Sequence, residues 1–245
     1  MTHPPPPSWP CSSPRARMAR RSVLLATLAG MAGLLPPVAR GNDQPEEAIF
    51  TAVKRNNGSQ LRRVLEEQAL NVNVIGPDGQ TPLTLALQLD SDKALYALLV
   101  SQHIDINFSN RRKESPLMIA ALTGNLEMVQ HLLRRGAAVN TPGWNALHYA
   151  ASGQSDEQQA IIQLLLVYRT PINARSPNNT TPLMLAASYG SEAVVQLLIA
   201  SGADTSLQND QGLTASDFAL RANRDRLVSR MQEWAAQRES STRPR

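Results

Sequence analysis

The sequence predicts an all-α protein, an α-solenoid of about six helix-turn-helix units. Three observations predict it. A short phrase recurs as Thr81-Pro82-Leu83-Thr84-Leu85-Ala86, Ser115-Pro116-Leu117-Met118-Ile119-Ala120, Asn145-Ala146-Leu147-His148-Tyr149-Ala150 and Thr181-Pro182-Leu183-Met184-Leu185-Ala186, with a weaker copy at Thr214-Ala215-Ser216-Asp217-Phe218-Ala219. Its leucines lie 34, 30 and 36 residues apart, and the last copy starts 33 after the fourth; such a period belongs to stacked repeats. Each strong copy is followed by a Leu-Leu pair, at Leu98-Leu99, Leu132-Leu133, Leu164-Leu165 and Leu197-Leu198, the mark of a second helix with a buried stripe.

The elements follow in order. A degenerate first unit, at about 43–74, carries Ala48, Ile49, Phe50 and Val53, then Leu61, Val64 and Leu65. In the full units, Thr or Ser before Pro starts the first helix: the hydroxyl caps free N–H groups, and Pro at the first helical position loses no bond. Ala120-Ala121 and Ala186-Ala187 are small enough for neighbouring helices to approach closely. The second helix shows its buried stripe at Met128, Val129, Leu132 and Leu133, neighbours at helical spacing. Gly136 and Gly202 stand where that helix must end in a left-handed turn, which Gly adopts without steric cost.

The hairpin that follows also needs positive φ, supplied by Gly79, Gly143 and Gly212. Lys113 and Asn179 hold the same place in two units; Asn tolerates the conformation, whereas Lys either costs about 1 kcal/mol there or reshapes the turn. An Asn closes most units, at Asn73, Asn107, Asn140 and Asn173. Unit 4 is irregular. Its hairpin before Trp144 is three residues short, and its loop between Ala151 and Ile161 is about two residues long relative to its neighbours. Such an irregularity inside an array marks a candidate binding face. The last unit, from 205 to about 236, wears Asp217, Arg221, Arg224, Asp225 and Arg226 as a solvated cap.

The phrase, the Leu-Leu pairs and the Gly-Ala steps at Gly136-Ala137 and Gly202-Ala203 together resemble the ankyrin repeat. That resemblance implies two antiparallel helices and a hairpin per unit, and binding of another protein rather than catalysis. It also implies a concave strip made by hairpin tips and the exposed side of the first helices. Carried over position by position, the strip's partner-binding candidates are Asp78, Arg111, Arg112, Glu114, Leu122, Trp144, Asn178 and Tyr189. Arg, Trp and Tyr are the types that dominate binding energy when well packed, each worth about 2 kcal/mol or more. Trp144 has two readings that the residues leave open, a partner contact or a filler of the gap left by the short hairpin. Arg111-Arg112-Lys113 likewise reads as a contact or as a merely soluble tip. The resemblance gives His148 a hydrogen bond that ties neighbouring loops. Exported ankyrin proteins of this build look like accessory partners of a secreted protein, an enzyme assisted or a toxin neutralised.

The front of the chain is a different kind of sequence. Residues 1–41 contain eight of the seventeen prolines, five arginines and no acidic residue. Met18-Ala19-Arg20-Arg21-Ser22 is basic, Val23 to Leu35 is thirteen apolar or small residues, and Ala39-Arg40-Gly41 offers a small-x-small cleavage site. These are the three parts of a secretory signal, and thirteen residues fall short of a ~30 Å bilayer core. The expected division is 1–41 signal segment, 42–236 repeat domain and 237–245 disordered basic tail, with the mature protein periplasmic and monomeric. Sec export is expected over the twin-arginine route that Arg20-Arg21 loosely fits. Met1 and Met18 both remain as starts, and an uncleaved front on a cytoplasmic or host-directed adaptor is the alternative.

Charge and chemistry narrow the function. The full chain is 24 − 20 = +4, but without the five arginines of 1–41 the rest is 19 − 20 = −1. A nearly neutral domain leaves no electrostatic footprint for nucleic acid. The one cysteine, Cys11, leaves with the signal, so no disulfide is expected. The four histidines, His3, His103, His131 and His148, are scattered, whereas zinc needs three or four converging ligands. No phosphate loop, nucleophile elbow or H-E-x-x-H occurs in the chain. The expectation is no catalytic residue, no cofactor and no metal.

Overall fold

The computed structural model describes residues 45–67 and 70–242. The expected signal segment, with its cleavage site and Cys11, lies outside the described residues. Within them stand twelve helices in six pairs: α1 (Pro45–Lys54) and α2 (Gly58–Glu67), α3 (Pro82–Leu89) and α4 (Asp92–Leu99), α5 (Pro116–Thr123) and α6 (Leu126–Arg134), α7 (Ala146–Ser152) and α8 (Gln158–Val167), α9 (Pro182–Tyr189) and α10 (Glu192–Ala200), α11 (Ala215–Arg221) and α12 (Asp225–Thr242). Helix α12 runs on to Thr242, past the boundary expected at 236, so most of the expected tail is helical.

First helices start where the phrase predicted. Thr81, Ser115, Asn145, Thr181 and Thr214 are the N-caps, each accepting a backbone N–H from the first turn of its helix. Packing then depends on size. Ala86, Ala120, Ala121, Ala150, Ala151, Ala186, Ala187 and Ala219 are all fully buried, and first helices of successive units pack directly on one another. The second helices supply the bulk, with Leu98, Leu132, Leu165 and Leu198 at 0% exposure. Burying one such leucine contributes about 2–3 kcal/mol, but only because the next unit covers it.

The closing asparagines stitch the units. Asn73 Oδ1 accepts Asp105 N–H at 2.8 Å, and its Nδ2 donates to His103 O at 2.7 Å. Asn107 Oδ1 accepts Ala138 N–H at 2.8 Å and Asn173 Oδ1 accepts Asp204 N–H at 3.0 Å. Every one of these bonds reaches into the following unit, which explains why Asn recurs at that step. The left-handed positions are equally consistent: Gly79, Gly143, Gly212, Lys113 and Asn179 all have positive φ, with Lys113 at 61°.

Candidate protein-binding face

The hairpin tips form one row along the array. Their turns are built from side chains bonding their own backbone: Asn110 Oδ1 accepts the N–H groups of Arg112 and Glu114, each at 2.9 Å, and Asn209 Oδ1 does the same for Gln211 and Leu213, each at 3.0 Å. Adjacent tips are linked by backbone bonds where the hairpins are full length. Arg111 N–H donates to Gly79 O at 2.8 Å, and Asp210 N–H donates to Asn178 O at 3.1 Å. Among the described residues no backbone bond joins the unit 4 hairpin to the tip on either side.

Arg111 and Arg112 are exposed at the tip of unit 3, and Asp78 is exposed at the tip of unit 2, where it pairs with Lys54 at 3.8 Å. Asn178 is half-buried at the tip of unit 5. Trp144 is half-buried too: its ring meets His148 edge-on, with centroids 5.3 Å apart at 76°. The indole is therefore partly packed against its own unit and partly exposed. Leu122 and Tyr189 do not join the tips. They sit at the far ends of α5 and α9, and an eight-residue helix is about 12 Å long. Leu89 and Leu220, 49% and 47% exposed at the ends of α3 and α11, extend that second row. Leu220 was missed because its unit lacks the full phrase.

Glu114 is a correction. It was expected as a tip contact, but it is 2% exposed. Asn110 Nδ2 donates to its Oε2 at 2.6 Å, Tyr149 OH donates to its Oε1 at 3.1 Å, and Arg112 Nη2 stands 3.2 Å from Oε2. A buried carboxylate needs such partners, and the sequence hid them because Tyr149 belongs to the next unit. Burial, together with the negative charge of Glu114, pushes the Tyr149 hydroxyl above its ordinary range. The tip of unit 3 is thus anchored from beneath.

The long loop of unit 4 has a structural role that the sequence did not show. Gln158 is 1% exposed and donates Nε2 to Leu122 O at 3.1 Å, while Gln154 donates Nε2 to Tyr189 O at 3.1 Å. The loop therefore satisfies helix-end carbonyls in the units on both sides. His148 has the linking role that the resemblance implied. It is fully buried, with Nδ1 2.8 Å from Asn145 Oδ1 and Nε2 3.1 Å from Thr180 O. Burial lowers its pKa to about 4, against the opposing pull of the Thr180 and Ala174 backbone bonds, so it is neutral at physiological pH.

Among the described residues no group of His, Cys, Asp and Glu side chains is arranged to hold a metal ion. No described helix is long and apolar enough to cross a membrane. The arrangement is a stiff row of tips, a parallel row of exposed apolar helix ends, and a neutral histidine between units.

Comparison with known proteins places this architecture. The chain is 29% identical over 177 residues to neurogenic locus notch homolog protein 1 of Xenopus tropicalis, and 33% identical over 177 residues to neurogenic locus notch homolog protein 2 of Homo sapiens. These matches cover 65% and 64% of this chain and about 7% of each relative, so the chain spans a small part of their length. Among solved structures, the predatory endopeptidase of Bdellovibrio bacteriovorus in complex with an immunity protein contains a chain matched with a TM-score of 0.63 at 21% identity, covering 76% of this chain and 97% of that one. At that identity the likeness is one of fold. The family model for ankyrin repeats in three copies matches residues 91–166 and 154–231. The chain belongs to the ankyrin-repeat family, and its repeats form a protein-binding module.

Proposed function

We propose that this is a non-enzymatic partner protein exported to the periplasm, where it holds another exported protein against its hairpin and first-helix face. The observation that carries the reading is the preformed face. Buried Glu114, the Asn bridges and the tip-to-tip bonds hold its backbone in place before any partner arrives, so little ordering entropy is lost on binding. Exposed Arg111, Arg112 and Tyr189 and half-exposed Trp144 stand on that backbone. The fold neighbour's complex, an immunity protein with an endopeptidase, supports an enzyme as the class of partner. Export rests on the basic, apolar and small-residue succession of 1–41.

The test uses the full chain with a C-terminal tag, recovered from the periplasmic fraction, with co-purifying proteins identified by mass spectrometry. An Arg111→Ala, Arg112→Ala, Trp144→Ala variant and a Leu122→Ala, Tyr189→Ala variant run beside it. Mature protein starting just after residue 41, and a partner lost from at least one folded variant, are the expected results. Uncleaved protein in cytoplasm or membrane sinks the export reading and leaves an internal adaptor. A partner held equally by all forms removes the face.

A further inference from the structure

Units 1 and 2 enclose a cavity of about 560 Å³ at their helix-to-helix turns, the end of the helices away from the hairpin tips. Its walls are the α1–α2 turn with the start of α2, and the first turn of α4. Helical spacing turns the lining residues inward together: Gly58 and Arg62 stand one turn apart on α2, as Asp92 and Tyr96 do on α4. The two walls are locked to each other. Asn56 Oδ1 accepts the N–H groups of Lys93 and Ala94 at 2.9 and 3.1 Å. Gly58 is buried, and a β-carbon there would overlap Lys93 O and lie 3.3 Å from Lys93 Cβ. Only a residue without a side chain lets α2 and α4 approach this closely.

Three cations share this space. Arg55, Arg62 and Lys93 all line the cavity, all are exposed, and none forms an ion pair among the described residues. Asp92 is the one acid of the lining, which leaves 3 − 1 = +2. The repeat does not call for these charges. One repeat on, the 34-residue step from Gly58 to Asp92 and from Asp92 to Leu126, the same places are held by Leu89, Tyr96 and Glu127. Beside the cations stands Tyr96, whose side chain is 63% exposed. A phosphate monoester carries about −1.5 to −2 at neutral pH and three acceptor oxygens, a match in charge for this lining. The volume falls within the roughly 300–1,000 Å³ of small-molecule sites, so an organic body has room against the Tyr96 ring as well.

We propose that this cavity binds a phosphate monoester of a small organic molecule, with the phosphate held by Arg55, Arg62 and Lys93 and the organic part against Tyr96. Arg brings paired N–H donors and Lys a compact point charge, and both kinds of donor suit phosphate oxygens. The site goes beyond the protein-binding reading, and none of its residues belongs to the variants that test that face.

The test titrates the full-length, isotope-labelled protein with phenyl phosphate, phenyl sulfate and inorganic phosphate, following backbone amide shifts. Phenyl phosphate is expected to move residues 55–62 and 92–96 and to bind about tenfold tighter than phenyl sulfate, a monoanion of the same shape. It should bind about fivefold tighter than inorganic phosphate, an advantage that Tyr96→Ala removes. Arg62→Ala with Lys93→Ala should weaken it about tenfold or more, and Asp92→Asn should tighten it. Gly58→Ala keeps every charge but pushes α2 off α4, so it should weaken binding about as much as the double variant while far-UV circular dichroism stays unchanged. If Gly58→Ala does not fold, the double variant at two exposed positions decides. Equal binding of phenyl phosphate and phenyl sulfate, shifts centred on Arg111 to Lys113, or an affinity unchanged in the Arg62→Ala, Lys93→Ala variant overturns the proposal. So does binding of phosphatidylglycerol vesicles without any response to phenyl phosphate, which would make this a basic surface and not a ligand cavity.

Discussion

His148 and Lys113 show how single residues carry strain or charge for the array. His148 is buried with both ring nitrogens engaged, and burial lowers its pKa from 6.5 to about 4. A group with a depressed folded pKa takes up protons more readily when unfolded, so its contribution is complete above pH 6.5 and is lost as pH falls toward 4. The size at pH 4.5 is about 2.5 kcal/mol. Denaturant unfolding of the parent at pH 7.5 and pH 4.5 should show that loss over and above the loss in His148→Asn; identical pH slopes in the two proteins would rule it out. Lys113 pays for its left-handed turn at φ 61°. Lys113→Gly is expected to raise stability by about 1 kcal/mol, seen as a higher denaturant midpoint; an unchanged or lower midpoint would show that the turn carries no such strain. The phrase made both positions legible in the sequence. Glu114 was not, because its Tyr149 partner is 35 residues away and a tip position gives no hint of burial.

At the scale of the element, helix ends are satisfied across unit boundaries. Arg224, before α12, sends Nη1 to Ala186 O, Ala187 O and Gly190 O at 3.1, 2.9 and 2.9 Å. It thereby caps the C-terminal end of α9, where a cation also complements the helix dipole. Partial burial lowers its pKa, with Glu192 opposing the shift. The sequence suggested only a solvated cap residue here, since nothing local shows where the guanidinium reaches. Arg224→Met should cost about 2 kcal/mol, the worth of charge-assisted bonds, and should speed amide exchange at the end of α9. Arg224→Lys should recover less than half of it, because an ammonium lacks the planar reach of a guanidinium. Full recovery by Lys would mean that the charge alone matters.

Across the whole molecule, stability is a sum of neighbouring interfaces. Val194, Val195, Leu198 and Ile199 of α10 are all at 0% exposure, and α10 packs against α12. Ending the chain before residue 205 would open that face to water and remove Arg224 at the same time. We expect unfolding free energy to fall by at least ~3 kcal/mol, with soluble aggregates on gel filtration. An unchanged midpoint and a clean monomer would show that the terminal pair is not the cap its burial pattern makes it.

The sequence by itself determined the repeat, its period, the helix starts and the left-handed hairpin positions. All of these are set within a few residues by cap chemistry, side-chain size and backbone sterics, so one chain displays them. It also pointed to unit 4 as the irregular place. Only the tertiary structure decided what that irregularity does. The long loop turned out to satisfy the neighbours' carbonyls, and among the described residues no backbone bond joins the short hairpin to the tips beside it. Tertiary structure also divided the expected binding strip into a row of tips and a row of helix ends. These outcomes depend on which groups of one unit meet those of the next, about thirty residues away, and such meetings have no local signature.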